Sequence, residues 1–449
     1  VNMMQRNVDT SENKINNKPS INLLPTITES PNDCANINDT NDINNINETD
    51  HTTDHATDHT INNTDLSAPI AISDPSSQQL EYIQRNVSRF INLPDIVDKI
   101  HAGKTLRAYI GFEPVQSPSF GHLVVLLKIR DLIRANVDVT ILIADFHAYL
   151  NKLQDRMHEK TAYYTFLVEK ILERIGVNRV NLTHCEQSDG QESDNQTSSG
   201  DQNSSDDKNN TGDNKNLFTS ECDIMATTAY TIIRGSDIQL KQSYIVNMLK
   251  ASTMISIDDL KEASSELIKQ EHDPKLSTLL YPIMQIIDET TIEADIQFGG
   301  LDQLKIFQLS YIINQRLGFD KTSYLMTPLI PSLQHEGAYK KMSSNDLESK
   351  IDFYDTFEVI NKKINNSYVD YLSTPENCAC LAMLKYIIFE ILDHFGEYES
   401  YNQFAYDWYN QVVSVEDFKK QLVYSIDNII SPIRKSILLH KELFDAAFV

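Results

Sequence analysis

Thr105-Leu-Arg-Ala-Tyr-Ile-Gly111 has the pattern of a buried strand that ends in a glycine turn. His122 to Asn136 follows with apolar residues at helical spacing, and Val139-Thr-Ile-Leu-Ile-Ala144 is a continuous apolar run. Such a run is typical of a parallel strand that is covered on both faces. A strand, a helix and a second strand within about 40 residues form a βαβ unit. The sequence therefore predicts an α/β fold whose first domain is a doubly wound parallel sheet.

In a doubly wound sheet, ligands bind beyond the carboxyl ends of the strands. Tyr109-Ile-Gly-Phe-Glu-Pro114 lies at the end of the first predicted strand, and Ala144-Asp-Phe-His147 lies at the end of the second. We therefore expect these two segments to line a ligand cleft. Within the second segment, Asp145 and His147 have either a role in that cleft or a satisfied place in the core.

A stripe of polar residues marks a second segment of the chain. Tyr281, Gln285 and Asp288 stand at i, i+4 and i+7, so they share one face of a predicted helix whose first turn suits Pro282. Their neighbours are apolar, so the helix should be buried and its polar groups need partners. A single such residue usually has a private hydrogen bond in the core. Three in register indicate the wall of a polar pocket, which Gly299-Gly-Leu-Asp-Gln303 extends.

Two segments are rich in Asn, Asp, Ser and Thr and poor in large apolar residues, namely 1–77 and 188–216. They bury too little surface to offset their conformational entropy, so we predict both to be disordered. We interpret 188–216 as a surface insertion into a catalytic domain that spans 78–352. The insertion is either simply solvated or a regulatory, partner-binding loop.

Beyond residue 352 the pattern is helical. From Cys378 to Phe395 and again from Phe418 to Leu439, apolar residues recur at three- and four-residue spacing. The pattern at the start of the ordered chain, from Gln79 to Ile91, is also helical. The sequence predicts a mainly helical C-terminal domain over 353–449.

The formal net charge of −25 is unusual for a protein that binds RNA, since phosphate contacts use Lys and Arg. The segments 1–77 and 188–216 carry −14 of this charge, so the rest of the chain is only mildly acidic. The charge of the rest of the chain is therefore compatible with RNA binding, but it does not by itself predict RNA binding. No apolar run approaches the roughly 18 residues that a membrane span needs.

Cysteine usage and the first residues of the chain bear on the compartment. The five cysteines form no metal-binding pattern, and their odd number fits a reducing environment. They are Cys34, Cys185, Cys222, Cys378 and Cys380. The first residues show neither an apolar signal core nor an Arg-rich transit pattern. We therefore expect a cytoplasmic protein without a tightly bound metal and without a membrane or DNA partner.

Two further motifs complete an ordered set. Phe120-Gly-His122 follows the first strand, and Lys341-Met-Ser-Ser344 follows the glycine-rich segment. Taken in order with the Tyr281 to Asp288 stripe, these motifs resemble tyrosyl-tRNA synthetases of the archaeal and eukaryotic type, which are class I aminoacyl-tRNA synthetases. The resemblance covers roughly residues 78–187 and 217–440. It implies a Rossmann-like catalytic domain followed by a helical anticodon-binding domain.

The resemblance also implies a function and its partners. The protein would activate L-tyrosine with ATP to tyrosyl-adenylate plus pyrophosphate, and would then transfer tyrosine to the 3′ end of tRNA(Tyr). Mg²⁺ would accompany ATP rather than occupy a protein site. The family is homodimeric, and the same assembly is implied for this chain.

The residues that the resemblance implicates fall into four groups. The catalytic group is His122, Lys341, Ser343 and Ser344. The tyrosine-binding group is Tyr109, Tyr281, Gln285, Asp288 and Gln303. The ATP-binding group is Gly111, Ser119, Gly121, His122, Gly299, Gly300, Asp302 and Lys341. The residues that would contact tRNA are Asp417, Lys419, Lys420 and Arg434.

The chemistry of adenylate formation explains these residue types. A substrate carboxylate attacks the α-phosphate of ATP, so the protein must position reactants and stabilise phosphate charge rather than supply a nucleophile. His122 opens a helix, where backbone N–H groups favour an anion, and Lys341 is a cation on a polar loop. Tyr109 and Asp288 would hold the substrate phenol, and both would be left unpaired by phenylalanine. The resemblance also implies that Asp288 distinguishes this pattern from the corresponding pattern of tryptophanyl-tRNA synthetases.

Three positions depart from the family pattern. Ser119 stands where the first histidine of the His-x-Gly-His motif is usual, Val115-Gln116 replaces a Ser/Thr-Gly pair, and Leu304 replaces an arginine. These departures favour an alternative in which the chain is a catalytically weak paralog that acts as an RNA- or protein-binding module. The intact polar stripe and Lys341 oppose it. A third hypothesis is another adenylate-forming or nucleotidyl-transferring enzyme on the same scaffold.

Overall fold

The computed structural model describes residues 27–29, 75–151, 155–177, 230–266, 275–334, 341–342 and 346–449. The segment 188–216 lies outside these residues, as does most of 1–77, so the prediction of disorder is not tested there. Within 1–77, only Ile27–Glu29 and the start of a helix at Pro75 are described.

One seven-stranded sheet organises the first two-thirds of the chain. Its strands are β1 (Ile27–Glu29), β2 (Arg89–Ile91), β3 (Arg107–Phe112), β4 (Asp138–Ile143), β5 (Thr231–Arg234), β6 (Ile296–Gly300) and β7 (Ser323–Thr327). The order across the sheet is β1-β2-β7-β6-β3-β4-β5. β2 is antiparallel to both of its neighbours, and the five strands from β7 to β5 are parallel. The predicted α/β fold with a doubly wound parallel sheet is confirmed.

Helices cover the sheet and, with the loops that join them, form the rest of the described chain. Up to β7 they are α1 (Pro75–Gln84), α2 (Leu93–His101), α3 (Leu123–Arg134), α4 (Asp145–Leu150), α5 (Met157–Arg174), α6 (Gly235–Gln239), α7 (Gln242–Ser252), α8 (Ile257–Ser264), α9 (Leu276–Ile292) and α10 (Leu304–Leu317). After β7 they are α11 (Phe357–Asn366), α12 (Ala379–Met383), α13 (Phe389–Leu392), α14 (Tyr401–Tyr409), α15 (Val415–Leu439) and α16 (Lys441–Phe448). One turn of π-helix, Leu384–Ile388, joins α12 to α13. Single 3₁₀ turns lie at Phe120–His122, Leu301–Gln303 and Leu347–Ser349.

The predicted βαβ unit is β3, α3 and β4, paired in parallel from Arg107 opposite Asp138 to Phe112 opposite Ile143. The chain then continues outward to β5 and returns to the other side of β3 as β6. The direction of winding therefore reverses between β3 and β6. In an open α/β sheet, the crevice beyond the carboxyl ends at such a reversal is where ligands bind.

Three local predictions are wrong. Gly111 does not form a turn, because β3 continues through it to Phe112 and Gly111 pairs with Leu142 of β4. Pro282 is not in the first turn of its helix, because α9 begins at Leu276, six residues earlier. Proline there lacks the N–H that would bond the Thr278 carbonyl. The helical pattern after Gln79 also stops short, since α1 ends at Gln84 and Phe90 and Ile91 lie in β2. A three-residue strand is too short for its alternation to be distinguished from helical spacing, and pairing with β7 decides its conformation.

The C-terminal part of the chain is helical, as predicted, and packs on the sheet domain. Arg130 of α3 donates to the Glu390 carbonyl at 2.6 Å and to its carboxylate at 3.0 Å. Asn86 donates to the same carboxylate at 2.8 Å. Among the described residues, none of the helices has the length and apolar character needed to cross a bilayer.

Candidate active site

A cleft of about 390 Å³ lies beyond the carboxyl ends of β3 and β6, at the reversal of the sheet. Twelve of the residues singled out in the sequence line it. They are Tyr109, Gly111, Ser119, Gly121, His122, Tyr281, Gln285, Gly299, Gly300, Asp302, Gln303 and Lys341. Segments that are up to about 230 residues apart in sequence thus form one wall. Ser343 and Ser344 lie outside the described residues.

Asp288 does not line this cleft itself; it is fully buried against Tyr109 and His147, which do. Tyr244 donates to Oδ1 of Asp288 at 2.8 Å, Tyr109 donates to Oδ2 at 3.3 Å, and the Gln239 amide donates to both oxygens at 2.8 and 3.1 Å. Burial raises the pKa of Asp288 to about 7, although these three donors oppose the rise. Three donors therefore converge on this carboxyl group and favour its charged form against the cost of burial.

A second buried carboxyl group, that of Glu289, follows Asp288 on α9. Glu289 accepts hydrogen bonds from the Tyr324 hydroxyl at 2.7 Å and from the Asn314 amide at 2.9 Å. Burial raises its pKa to about 8, and the neighbouring Asp288 adds to the rise. Glu289 is therefore mostly protonated near neutral pH and limits the negative charge beside Asp288.

The middle of the cleft carries groups suited to an ammonium and a carboxylate. Gln285 donates from Nε2 to Oε1 of Gln303 at 3.0 Å, which fixes both amides. Tyr281 hydrogen-bonds to Glu113, and Asn151 donates to the same carboxyl group at 3.0 Å. Burial raises the pKa of Glu113 to about 7. Tyr281 and Glu113 thus place oxygen acceptors beside the Gln285 and Gln303 amides.

His122 ends the 3₁₀ turn that opens α3. Its Nδ1 accepts from the Ser119 backbone N–H at 3.0 Å and lies 3.1 Å from the Ser119 hydroxyl. Because the backbone N–H can only donate, Nδ1 is the acceptor and the ring proton is on Nε2. Burial lowers the pKa of His122 to about 4, so the ring is neutral at physiological pH. Ser119, which replaces the usual histidine, therefore orients the remaining one.

Lys341 forms an ion pair with Asp302, with 2.6 Å between Nζ and Oδ2. Asp302 lies in the 3₁₀ turn after β6, next to Gly300. A Cβ on Gly300 would come within 2.6 Å of the Asp302 carboxylate and 2.7 Å of the Leu329 side chain. A side chain at 300 would therefore force the Asp302 carboxylate and the Leu329 side chain to move.

The four residues predicted to contact tRNA all lie on α15, away from the cleft. Asp417 caps the start of that helix with Ser414, and Lys419 donates to the carbonyls of Asn365 and Ser367 at 3.0 and 2.7 Å. Arg434 bonds to Asp355 and Asp427. Lys420 is exposed. Three of the four thus have contacts within the chain, which leaves their role in RNA binding a prediction.

Sequence reasoning missed several residues around the cleft. Glu113 lies within the motif already quoted, and its position after a strand end was the available signal. Gln239 and Tyr244 had no such signal, because they are isolated polar residues on α6 and α7. Asp145 does not line the cleft; its carboxylate accepts from the backbone and hydroxyl of Ser236 at 2.8 and 2.6 Å and so holds the start of α6.

The sequence pattern of the family described as "tRNA synthetases class I (W and Y)" matches residues 101–431. The cytoplasmic tyrosine–tRNA ligase of Gallus gallus is 28% identical over 372 residues, which are 80% of this chain and 60% of that protein. This chain therefore spans well under two-thirds of the chicken protein. The tyrosine–tRNA ligase of Haloarcula marismortui is 26% identical, over 83% of this chain and 97% of that protein.

A solved structure supports the fold. Tyrosyl-tRNA synthetase of Archaeoglobus fulgidus, solved in complex with L-tyrosine, superposes with a TM-score of 0.63 at 23% sequence identity. The match covers 80% of this chain and 98% of that one. At this identity the likeness establishes a shared architecture.

Proposed function

Because this chain belongs to the class I tRNA synthetases of the tryptophan and tyrosine group, we propose that it is a tyrosine–tRNA ligase. It activates L-tyrosine with ATP to give tyrosyl-adenylate and pyrophosphate, and it then esterifies the 3′ end of tRNA(Tyr). The names of the chicken and Haloarcula relatives support tyrosine as the amino acid.

The observation that carries the proposal is the pair of Tyr109, which lines the cleft, and buried Asp288, to which the Tyr109 hydroxyl donates. A phenol both donates and accepts a hydrogen bond, whereas an indole N–H only donates. The Tyr109 hydroxyl donates to the buried Asp288 carboxylate, so its oxygen can accept a hydrogen bond from the phenol of the substrate. Asp288 already has its three donors, so phenylalanine in the same space would leave only the free lone pairs of the Tyr109 oxygen without a partner, which disfavours it.

The other cleft residues divide the remaining tasks. Tyr281, Gln285 and Gln303 hold the α-amino and carboxylate ends of tyrosine. Gly111, Gly121, Gly299 and Gly300 let the backbone approach ATP, and Asp302 receives a ribose hydroxyl.

Phosphate binding falls to four residues in this proposal, with His122 and Lys341 in the main roles. Neutral His122 donates its Nε2 hydrogen to a phosphate oxygen at the start of α3, where the helix dipole favours an anion. Lys341 leaves Asp302 and stabilises charge on the departing pyrophosphate, together with Ser343 and Ser344. Their task is electrostatic and positional, because the substrate carboxylate is itself the nucleophile.

The proposal includes the remaining partners. Mg²⁺ enters with ATP and is held by phosphates and water, the usual mode for this ion. The helical region after residue 352 binds the anticodon end of tRNA, with Asp417, Lys419, Lys420 and Arg434 as candidate contacts. We propose a homodimer in the cytoplasm, the compartment that the name of the chicken relative gives.

Tyrosine-dependent exchange of pyrophosphate into ATP tests the proposal on the purified chain. We expect exchange with tyrosine and little with phenylalanine or tryptophan, followed by charging of tRNA(Tyr). Asp288→Ala and Lys341→Ala should each abolish most of the exchange. If the wild-type chain binds tyrosine without exchange, the binding-module alternative replaces this proposal.

A further inference from the structure

Lys350-Ile-Asp352 lies beside the 3₁₀ turn Phe120–His122 that opens α3. The Phe120 N–H donates to the Ile351 carbonyl at 2.8 Å, and Ser119 pairs with Asp352 in an antiparallel β-bridge. Ser119 is the N-cap of the turn, and His122 is its last residue. The turn that carries the proposed phosphate-binding histidine is thus joined to this segment by backbone contacts at its start.

A buried ion pair lies within the same segment. Lys350 Nζ is 2.9 Å from Asp352 Oδ1, and the two side chains are only 2% and 1% exposed. The Asp352 backbone N–H also donates to the Asp355 carboxylate at 2.9 Å, which restrains the segment further. Taking two charges out of water costs about as much as their pairing returns, so such a pair is a poor source of stability compared with apolar side chains. Stability alone therefore does not account for an ion pair at this place.

Lys350 also acts on His122 through its charge. Burial lowers the pKa of His122 to about 4, and the nearby Lys350 cation adds to this fall. The neutral ring accepts the Ser119 N–H at Nδ1, which leaves its own hydrogen on Nε2. His122 lines the cleft, whereas Lys350 and Asp352 do not. The ion pair thus influences the position and the charge of a cleft residue without being part of the cleft wall.

We propose that Lys350 is a positioning residue for adenylate formation, which is held by Asp352, fixes the turn that carries His122 and places a positive charge beside the His122 ring. This inference rests on the proposed function, in which His122 donates to a phosphate oxygen of ATP. Without the ion pair the turn and the ring are less restrained, so the donor is less often aligned with the phosphate. Lys350 contacts neither ATP nor tyrosine and acts only through His122.

Exchanging both members of the pair tests this role with the least cost to folding. Lys350→Met/Asp352→Asn keeps the shapes of the side chains and leaves no buried charge unpaired. Lys350→Arg keeps the cation and should retain most of the activity. The matched control is Lys363→Met/Asp355→Asn, since Lys363 and Asp355 form an ion pair of 2.7 Å that is nearly as buried and bonds to no described residue of the turn.

The experiment measures kcat for tyrosine-dependent pyrophosphate exchange with the full chain, in the wild type and in His122→Ala, each with and without the Lys350→Met/Asp352→Asn exchange. In the wild-type background we expect a loss of about tenfold, the scale for misaligning one hydrogen bond, and in His122→Ala a loss of less than about twofold. The control exchange should stay within about twofold of wild type. An equal loss in both backgrounds, or no loss in either, would overturn the role of Lys350. Absence of exchange in the wild type would instead overturn the proposed function.

A titration covers the case in which His122→Ala is too slow to measure. In the full chain labelled with ¹⁵N at histidine, the His122 signal is assigned from its absence in His122→Ala. Lys350→Met should raise the pKa of His122 by about one unit, the scale for losing one nearby like charge. The other charged groups near the ring, Lys341 and Asp302, are the same in this variant. Lys350→Arg should leave the pKa near its wild-type value, and an unchanged pKa in Lys350→Met would overturn the inference.

Discussion

Lys341 Nζ lies 2.6 Å from Asp302 Oδ2. The cation that we propose stabilises pyrophosphate is therefore paired with the carboxylate that we propose binds ribose. The Lys341 side chain is 42% exposed, and an ion pair of this exposure contributes about 0–1 kcal/mol. ATP can therefore displace the pair at low cost. In the proposed function, nucleotide binding would separate Lys341 from Asp302 and so make both groups available at once.

We expect Lys341→Ala to lower kcat for pyrophosphate exchange about 100-fold, the scale for losing one group that stabilises transition-state charge. Tyrosine affinity should stay within about twofold, because Lys341 contacts none of the tyrosine-binding residues. Steady-state exchange and equilibrium binding of tyrosine measure the two effects. Lys341→Arg is the matched control and should retain part of the rate. A loss of tyrosine affinity equal to the loss of kcat would contradict this role.

Gly300→Ala should raise KM for ATP at least about tenfold, since the new Cβ would meet the Asp302 carboxylate at 2.6 Å and displace it. Gly103→Ala is a control for the general effect of replacing a glycine, because nothing lies within 4 Å of a Cβ there. Its backbone φ of +68° makes that variant less stable while leaving the cleft intact. Unchanged ATP kinetics in Gly300→Ala would show that Asp302 does not contact the nucleotide.

Ser119→Ala removes a hydroxyl 3.1 Å from His122 Nδ1 but keeps the backbone N–H that fixes the tautomer. We expect kcat for exchange to fall only about threefold to tenfold, the effect of one neutral hydrogen bond. His122→Ala should lose far more. Since the pKa of His122 is already lowered to about 4, neither the wild type nor Ser119→Ala should show an inflection from this ring between pH 5.5 and 8.

Glu289→Gln should change how stability depends on pH. Burial raises the pKa of Glu289 to about 8, so the folded state binds this proton more tightly than the unfolded state does. The tighter binding of this proton stabilises the folded state. This stabilisation is fully present below the pKa that Glu289 has in the unfolded chain, and it is lost as pH rises toward 8, at up to about 1.4 kcal/mol per pH unit. Glutamine does not titrate, so the variant does not lose this stability as pH rises. The melting temperature of Glu289→Gln minus that of the wild type should therefore increase from pH 5.5 to pH 8. Parallel curves would exclude a raised pKa for Glu289.

The sequence was sufficient for the architecture and for the residues that lie in recognisable motifs. The pattern of apolar residues predicts β3, α3 and β4. The position of the cleft is predicted from the carboxyl ends of those two strands. Tyr281 and Gln285 were identified because three polar residues in helical register are unusual in a buried helix.

Other parts of the site depend on long-range contacts. Gln239 and Tyr244 reach Asp288 from two helices that local pattern does not connect to it. β2 is a strand because it pairs with β7, more than 200 residues away in sequence. The tautomer of His122 follows from a single donor–acceptor contact, which no sequence pattern encodes.

The three donors that converge on Asp288 also restrict how this protein can evolve. Replacing Asp288 alone by an apolar residue would leave Tyr109, Gln239 and Tyr244 without their shared acceptor in a dry interior. Replacing any one donor would leave the charge less well satisfied. A lineage that drifted toward an apolar amino acid would need coordinated changes on β3, α6, α7 and α9. The proposed preference for tyrosine would thus be protected, because every single step away from it is disfavoured.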